Sequence, residues 1–539
     1  MPLVTTRRFT GRVFGRLCAL SCLGLLASAA SAQSFRVQCP DTTALHPGLC
    51  SGGTKAGQSC ATSADCQGGG SCAPQLLCSG GTRNGQACTS DLSCPGGACA
   101  IPDHPGLIKC QHVGGGDGYA TMADGHQIYL FAFSPLSGLA DLEAGQPGTE
   151  TAGVFNGGYS GPNYSSLGSS AANAASAPNN GAITEPAGIM DMGVLAGSAP
   201  APLMAIDEDD EFFLTLSNPG MIMRPDLFEQ HTVHFHGYPN ASSYFDGVPD
   251  ASVAINIAGS FTYYYTAPDA GTYFWHCHIT PPEHLQMGMV GQLYVRPRQN
   301  RLKSSDSLWS ALVTANQRAA LGGNGLSCSD ILCTGQTPAP PQNAATGGRK
   351  YAYNDGDGST QYDVEYPIQM MGFDPNFHYV GMTFNPEVFS DMKDKYFLLS
   401  GRSYPDTVHP GPISTLSSDG VPRPSQPLPS VITIDTQAGQ RRALLRISDL
   451  SVTEFTTLGT IGIPMTVIAV NARLLRDMKG NNLYYDTNSI TLGGGESADV
   501  ILDATNVPRG TYYLYSTNLD HLSNDAENFG GMMTEIHVD

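Results

Sequence analysis

The chain has 539 residues, and at ~150 residues per domain that length implies three or four units. Hydrophobic residues make up 41% and charged residues only 14%, with 63 Gly and 37 Pro, which favours strands, turns and loops and excludes an architecture of long charged helices. Acids outnumber bases 47 to 27 and no Lys/Arg-rich run exists, so nucleic acid is excluded as a partner class.

Arg7, Arg8, Arg12 and Arg16 form a basic leader, and an apolar run over 17–30 follows. Ala30-Ser31-Ala32 fits the small-residue pattern of a cleavage site, so residues 1–32 are predicted to be a signal peptide. The mature chain is then secreted or periplasmic, where disulfides persist. No later segment is apolar for ~18 residues, and no membrane span is predicted.

Of fifteen Cys, Cys18 and Cys22 fall in the leader and ten lie between Cys39 and Cys110. These ten contain an internal repeat: Leu49-Cys50-Ser51-Gly52-Gly53-Thr54 recurs as Leu77-Cys78-Ser79-Gly80-Gly81-Thr82. Cys60 and Cys66 recur as Cys88 and Cys94, and Cys72 as Cys99, one residue short. Units this small cannot bury enough apolar surface alone, so residues 39–110 are predicted to be a disulfide-held module. A zinc site is the rival reading, disfavoured by irregular spacing. Cys328 and Cys333 can pair in a later loop, which leaves Cys277 as the odd thiol.

The pattern becomes strand-like from Gly125 onward. Candidate strands fall at 126–133, 211–216, 230–236, 260–266, 271–277 and 291–295, with a Gly/Ser/Ala/Asn-rich loop at 145–182. Residues 300–350 read as an interdomain connection with a short helix at 308–321 and the Cys328/Cys333 loop. A second β region, 351–539, has strands at 396–399, 431–434, 442–447, 465–470, 498–502 and 511–516. The predicted fold class is all-β, with two sandwich or Greek-key barrel domains, 111–299 and 351–539, behind the Cys-rich module.

Six of the fourteen His sit in two short windows. One is His231-Thr232-Val233-His234-Phe235-His236; the other is His276-Cys277-His278, followed by Glu283-His284-Leu285-Gln286-Met287-Gly288-Met289. Side chains alternate faces along a strand. His234 therefore shares a face with His236, and His276 with His278, while His231 and Cys277 point the other way. Pairing the two strands gives one cluster of His231, Cys277, His284 and a Met, and a second cluster of four imidazoles. Soft sulfur with imidazole suits blue copper, and the all-imidazole set suits copper or, less specifically, zinc. A thiolate held by a metal would also explain why Cys277 escapes disulfide formation.

These windows resemble the multicopper oxidases of the cupredoxin superfamily, over roughly 120–298 and more loosely over 351–539. The resemblance implies two cupredoxin-like domains and a copper cofactor. By position, His231, Cys277, His284 and Met289 would be type 1 copper ligands, with Met287 as the alternative axial Met. His234 would be a type 2 ligand, and His236, His276 and His278 type 3 ligands. Asp246, in Phe245-Asp246-Gly247-Val248-Pro249, resembles a family carboxylate that assists proton delivery.

Three departures stand out. Five residues, 279–283, separate His278 from His284 where the family has three. The family's trinuclear centre takes eight His from two domains, and this chain offers four; the second β domain resembles the family's copper-free middle domain. Its strand near 510–518 ends in Ser516-Thr517-Asn518, with His521 nearby. Copper nitrite reductases also fit His231/His236 and His276/Cys277, but Thr517 stands where their second-domain His is expected, and His234 where they place a catalytic Asp. The resemblance implies an exported oxidoreductase that takes single electrons from a small molecule or metal ion and passes them to dioxygen, with a homo-oligomer as one way to complete the cluster. The alternatives are a non-catalytic electron carrier or copper-binding protein, a nitrite-reductase-like enzyme, and a surface adhesion protein.

Overall fold

The computed structural model describes residues 35–100 with short breaks, 106–162, 177–238, 242–301, and 349–539 apart from 384, 386–387 and 478–480. The expected signal peptide, most of the 300–350 connection and the Cys328/Cys333 loop lie outside the described residues.

The N-terminal region holds disulfides Cys39–Cys110, Cys50–Cys66 and Cys60–Cys72, and Cys88 and Cys94 are also disulfide-bonded. Cys50, Cys60 and Cys66 are close enough to share a metal, but all three are engaged in disulfides, which removes the zinc alternative for them. The sequence repeat reappears as repeated pairing. Gly48–Ser51 lies antiparallel to Ser71–Pro74 with Cys50 opposite Cys72, and Leu77–Gly80 lies antiparallel to Gly97–Ala100 with Cys78 opposite Cys99. Among the described residues Cys277 is the free cysteine, and it is buried.

Two sheets follow. Their strands are β1 (Ile108–Thr121), β2 (Gln127–Pro135), β3 (Met204–Asp207), β4 (Glu211–Gly220), β5 (His234–Phe235), β6 (Ser260–Thr266), β7 (Gly271–His276) and β8 (Val290–Arg296), with helix α1 (Pro281–Gln286) between β7 and β8. One sheet runs β6-β4-β1-β2 and the other β5-β7-β8-β3. Every second residue of these strands points inward: Phe131 and Phe133, Leu214 and Leu216, Tyr263 and Tyr265, Tyr273 and Trp275, Leu293 and Val295 form one buried cluster. The fold is the predicted all-β, cupredoxin-like one.

Two local expectations differ. The strand read at 230–236 shrinks to β5, and His231 instead forms an isolated bridge with Ile255. Strand β1, with Gly114, Gly115, Gly116 and Gly118 within it, is not among the expected strands. A Cβ on Gly115 would lie 2.7 Å from the His231 ring, so the missing side chain makes room for that imidazole.

The second region continues with β9 (Val364–Phe373), α2 (Pro375–Met382), β10 (Tyr396–Leu399), β11 (Arg442–Asp449), β12 (Met465–Val470) and β13 (Ser497–Asp503). These strands form the sheet β10-β9-β11-β13-β12, extended by two short strands. A five-stranded sheet that includes Gly510–Ser516 and Met533–Val538 packs on it around Leu445, Ile447, Val467, Val500 and Ile536.

The two β regions share a polar interface. Thr272 Oγ1 donates to Asp499, Ser497 Oγ donates to the Thr272 carbonyl at 2.7 Å, and Gln292 Nε2 donates to Ser448 Oγ at 2.8 Å and to the Arg446 carbonyl at 2.9 Å. Fully buried Arg446 bonds Glu365 at 3.0 Å and lies 3.7 Å from Asp499. Burial opposes ionisation of Glu365, but Arg446 and then Arg296 hold its carboxyl down at about 2. Removing the cation strands buried carboxylates. Arg446→Ala is expected to lower unfolding free energy by about 3–5 kcal/mol, read from the shift in chemical-denaturation midpoint.

Candidate metal centre

The pairing of β5 with β7 places His234 opposite His276 and Phe235 opposite Trp275. Cys277 follows β7 and turns to the opposite side from its two His neighbours, with its backbone N–H donating to the Met289 carbonyl at 3.1 Å. The next segment reverses through α1, and the Met289 N–H closes onto the His284 carbonyl at 2.8 Å. Strand pairing and the return loop thus bring residues from four segments to one place.

The sulfur group is completely buried. His284 Nδ1 lies 3.2 Å and His231 Nδ1 3.9 Å from Cys277 Sγ, and the three ligand atoms are all within 4.8 Å of one another. The Thr232 N–H donates to Sγ at 3.4 Å, while Thr232 Oγ1 accepts from the His278 N–H at 2.9 Å. One residue therefore braces both sides of the His276-Cys277-His278 segment. Met287 and Met289 are both fully buried in the apolar cluster that contains Cys277. Burial pushes the Cys277 thiol up, but His284 and His231 outweigh it and bring it well below its usual value. Burial pushes His284 down, but the Cys277 sulfur, and Glu229 beyond it, raise it to about 10. These interactions favour a thiolate at Cys277 with a proton on His284, and a cation bound by the same atoms would displace that proton.

The imidazole group sits on the other side. His236 Nε2 and His276 Nε2 are 3.0 Å apart, and the His234 ring centroid is 5.4 Å from both of those rings and 5.0 Å from His278. Hydrogen bonds assign the tautomers. His276 Nδ1 donates to the Cys277 carbonyl at 2.7 Å, His234 Nδ1 to the Asp246 carbonyl at 2.7 Å, and His236 bonds the Gly495 backbone. With Nδ1 of His276 and of His234 engaged by carbonyls, their Nε2 atoms are left to face the cluster, and a proton or a metal cation can lie between His236 Nε2 and His276 Nε2. The ligand atoms of His234, His236 and His276 lie within 4.8 Å of one another, a donor set that fits a metal. The Asp246 carboxylate is 3.5 Å from His234 Nδ1, and Gly247 lets this turn press on the strand: a Cβ there would meet the Val233 carbonyl at 1.9 Å.

Several participants were not singled out in the sequence. Glu229 Oε2 lies 3.6 Å from His284 Nε2, and its side chain is 24% exposed whereas His284 is sealed, so this carboxylate stands between the imidazole and solvent. Its spacing of two from His231 is the signal that could have marked it. A cleft of about 370 Å³ opens beside His236, between α1 residues and the second-region segments Ser451–Phe455 and Gly493–Gly495. His521, by contrast, bonds Ser516 and Glu454 and stacks on Phe397, apart from either ligand group.

Multicopper oxidase family models match residues 182–300 and 391–534. The chain is 34% identical over 112 residues to multicopper oxidase MCE of Talaromyces pinophilus, a stretch that is 20% of this chain and 17% of that protein. It is 33% identical over 107 residues to the copper-containing nitrite reductase of Rhizobium meliloti, covering 19% of this chain and 25% of that one. The chain thus spans a quarter or less of these curated relatives. Among solved structures, a blue copper oxidase from Nitrosomonas europaea aligns with 80% of this chain and 85% of its own, at 17% identity and a TM-score of 0.45. The fold is cupredoxin-like, and the two donor sets are candidate sites for copper. The chain belongs to the multicopper oxidase family, as a member with two cupredoxin-like domains.

Burial, then repulsion from His234, holds His236 down at about 4, and burial, the largest influence on His276, keeps it well below its ordinary value. Folded values below the unfolded 6.5 mean that the unfolded chain takes up protons first as pH falls. The stability these His contribute is present above pH 6.5 and is lost between 6.5 and about 4. The metal-free protein is expected to lose melting temperature across that window, and His236→Gln to flatten the loss.

Proposed function

We propose that this chain is an exported copper-dependent oxidoreductase that takes one-electron equivalents at the sulfur group and delivers them to dioxygen at the imidazole group. The observation that carries this reading is the back-to-back placement of two donor sets on consecutive residues His276, Cys277 and His278. In this reading His231, Cys277, His284 and Met289 hold type 1 copper, His234 is a type 2 ligand, and His236, His276 and His278 are type 3 ligands. Copper there supplies reversible one-electron chemistry on one side and dioxygen reduction on the other. The division into a signal peptide at 1–32, a disulfide module at 39–110 and β domains at 111–299 and 351–539 belongs to the same proposal.

The chain's own residues do the rest. Cys277 is bonded through the backbone to both His276 and His278, so the sulfur and the imidazoles are joined covalently. Thr232 directs an N–H at the sulfur, which favours the thiolate. Glu229 lies at the outer edge of His284, where a carboxylate favours a cationic donor or accepts a proton from a phenolic one. Asp246 fixes the His234 tautomer and stands ready to pass protons that dioxygen reduction consumes. The cleft at His236 gives a small molecule a way to the imidazoles.

One observation favours a second reading, an electron carrier with no turnover. Among the described residues, the second domain meets His236 with the Gly495 backbone, and the candidate ligand groups draw no His from it. A nitrite-reductase-like enzyme has less support, because His234 occupies the place of an acid. Substitution separates the first two readings. His236→Ala and His278→Ala are expected to reduce oxygen consumption with a one-electron donor more than about 100-fold while the blue absorption persists. Unchanged electron transfer in both variants, with one copper per chain, would support the carrier instead.

A further inference from the structure

The two extra residues between Cys277 and His284 have a structural consequence. They allow α1, a six-residue helix entered by Thr280 at φ 35° and opened by Pro281 and Pro282. A helix this short has little stability of its own, so it must be held from outside. Gln286, its last residue, is completely buried, and two groups of the second β region converge on it. Its Nε2 donates to Asp394 Oδ1 at 2.8 Å, and its Oε1 accepts from the Asp374 N–H at 3.1 Å. Asp394 is in turn held by Thr453, whose Oγ1 donates to Oδ2 at 2.6 Å. The fit around this carboxylate is close: a Cβ on Gly372 would lie 2.2 Å from Asp394 Oδ2.

Gln286 sits two residues after His284 and three before Met289, in the segment whose position sets the distance from imidazole and thioether to Cys277. Thr453 also lines the cleft beside His236, so a single carboxylate joins the wall of one ligand group to the loop of the other. A buried amide left unpaired is costly, so the contact has one favoured arrangement.

We propose that Asp394, through Gln286, is a positioning residue by which the second domain fixes His284 and Met289 relative to Cys277, so that a domain carrying none of the proposed copper ligands sets the properties of the sulfur site. This rests on the reading of that site as type 1 copper.

The test uses the full chain, with Asp394→Leu to break the clamp, Asp394→Asn to restore it (its amide can accept from Gln286 and donate to Thr453), and Gln286→Met as a near-isosteric second break. In metal-free folded protein, Cys277 should react with a disulfide reagent about tenfold faster in Asp394→Leu and Gln286→Met than in wild type, through easier local opening of the loop. In copper-loaded protein the same two variants should shift the paramagnetic resonance hyperfine splitting and the reduction potential of the type 1 signal, and Asp394→Asn should restore all three readouts. A merely structural role would lower the melting temperature and leave thiol reactivity and spectrum alone; that result in either folded variant overturns the proposal. If Asp394→Leu does not fold, Gln286→Met decides. Wild type without a type 1 signal would refute the copper assignment, while the thiol rates, read without copper, still judge the clamp.

Discussion

A strand shows successive side chains to opposite faces, and the chemistry of this molecule depends on that alternation continuing through three residues, His276, Cys277 and His278. Pairing with β5 fixes which face is which, because His234 lies opposite His276. A one-residue slip would turn the sulfur toward the imidazoles and bury the wrong set. The register is secured by bulk: Trp275 and Phe235, the neighbouring cross-strand pair, both enter the aromatic core, and Gly291 clears the space for the Trp275 ring. The apolar core therefore places the ligands, and Cys277 and the two Met are part of it.

The second domain is a support for that arrangement. It grips β7 through Thr272, β8 through Gln292 and the return loop through Gln286, each by buried hydrogen bonds. It also seals the far side of the imidazole group with the Gly495 backbone, since a Cβ at that glycine would lie 2.5 Å from His236. A domain that brings no histidine to the cluster can therefore be as necessary to it as one that does.

The sequence was most informative where chemistry and period coincide. Two His-x-His pairs, an odd thiol in a disulfide-rich chain and a repeat of Cys spacings need only residue identities to be read. It was least informative where the cause is a distant contact. The reason for Gly115, room for the His231 ring, comes from another segment, and in the 230–236 stretch His231 bridges Ile255 while only His234–Phe235 forms the strand. The extra residues before His284 depart from a ligand motif, and the partners that hold the resulting helix, Asp374 and Asp394, lie about a hundred residues away. Glu229 was legible by its face but carries no motif.

The central claim is that one stretch of chain holds two separate metal sites on its two sides. Anomalous diffraction at the copper edge from copper-loaded crystals tests it most directly. The account predicts one peak among His231, Cys277 and His284, and distinct density among His234, His236, His276 and His278. A single peak shared by both groups, or Cys277 joined to another sulfur with no peak beside it, would contradict it.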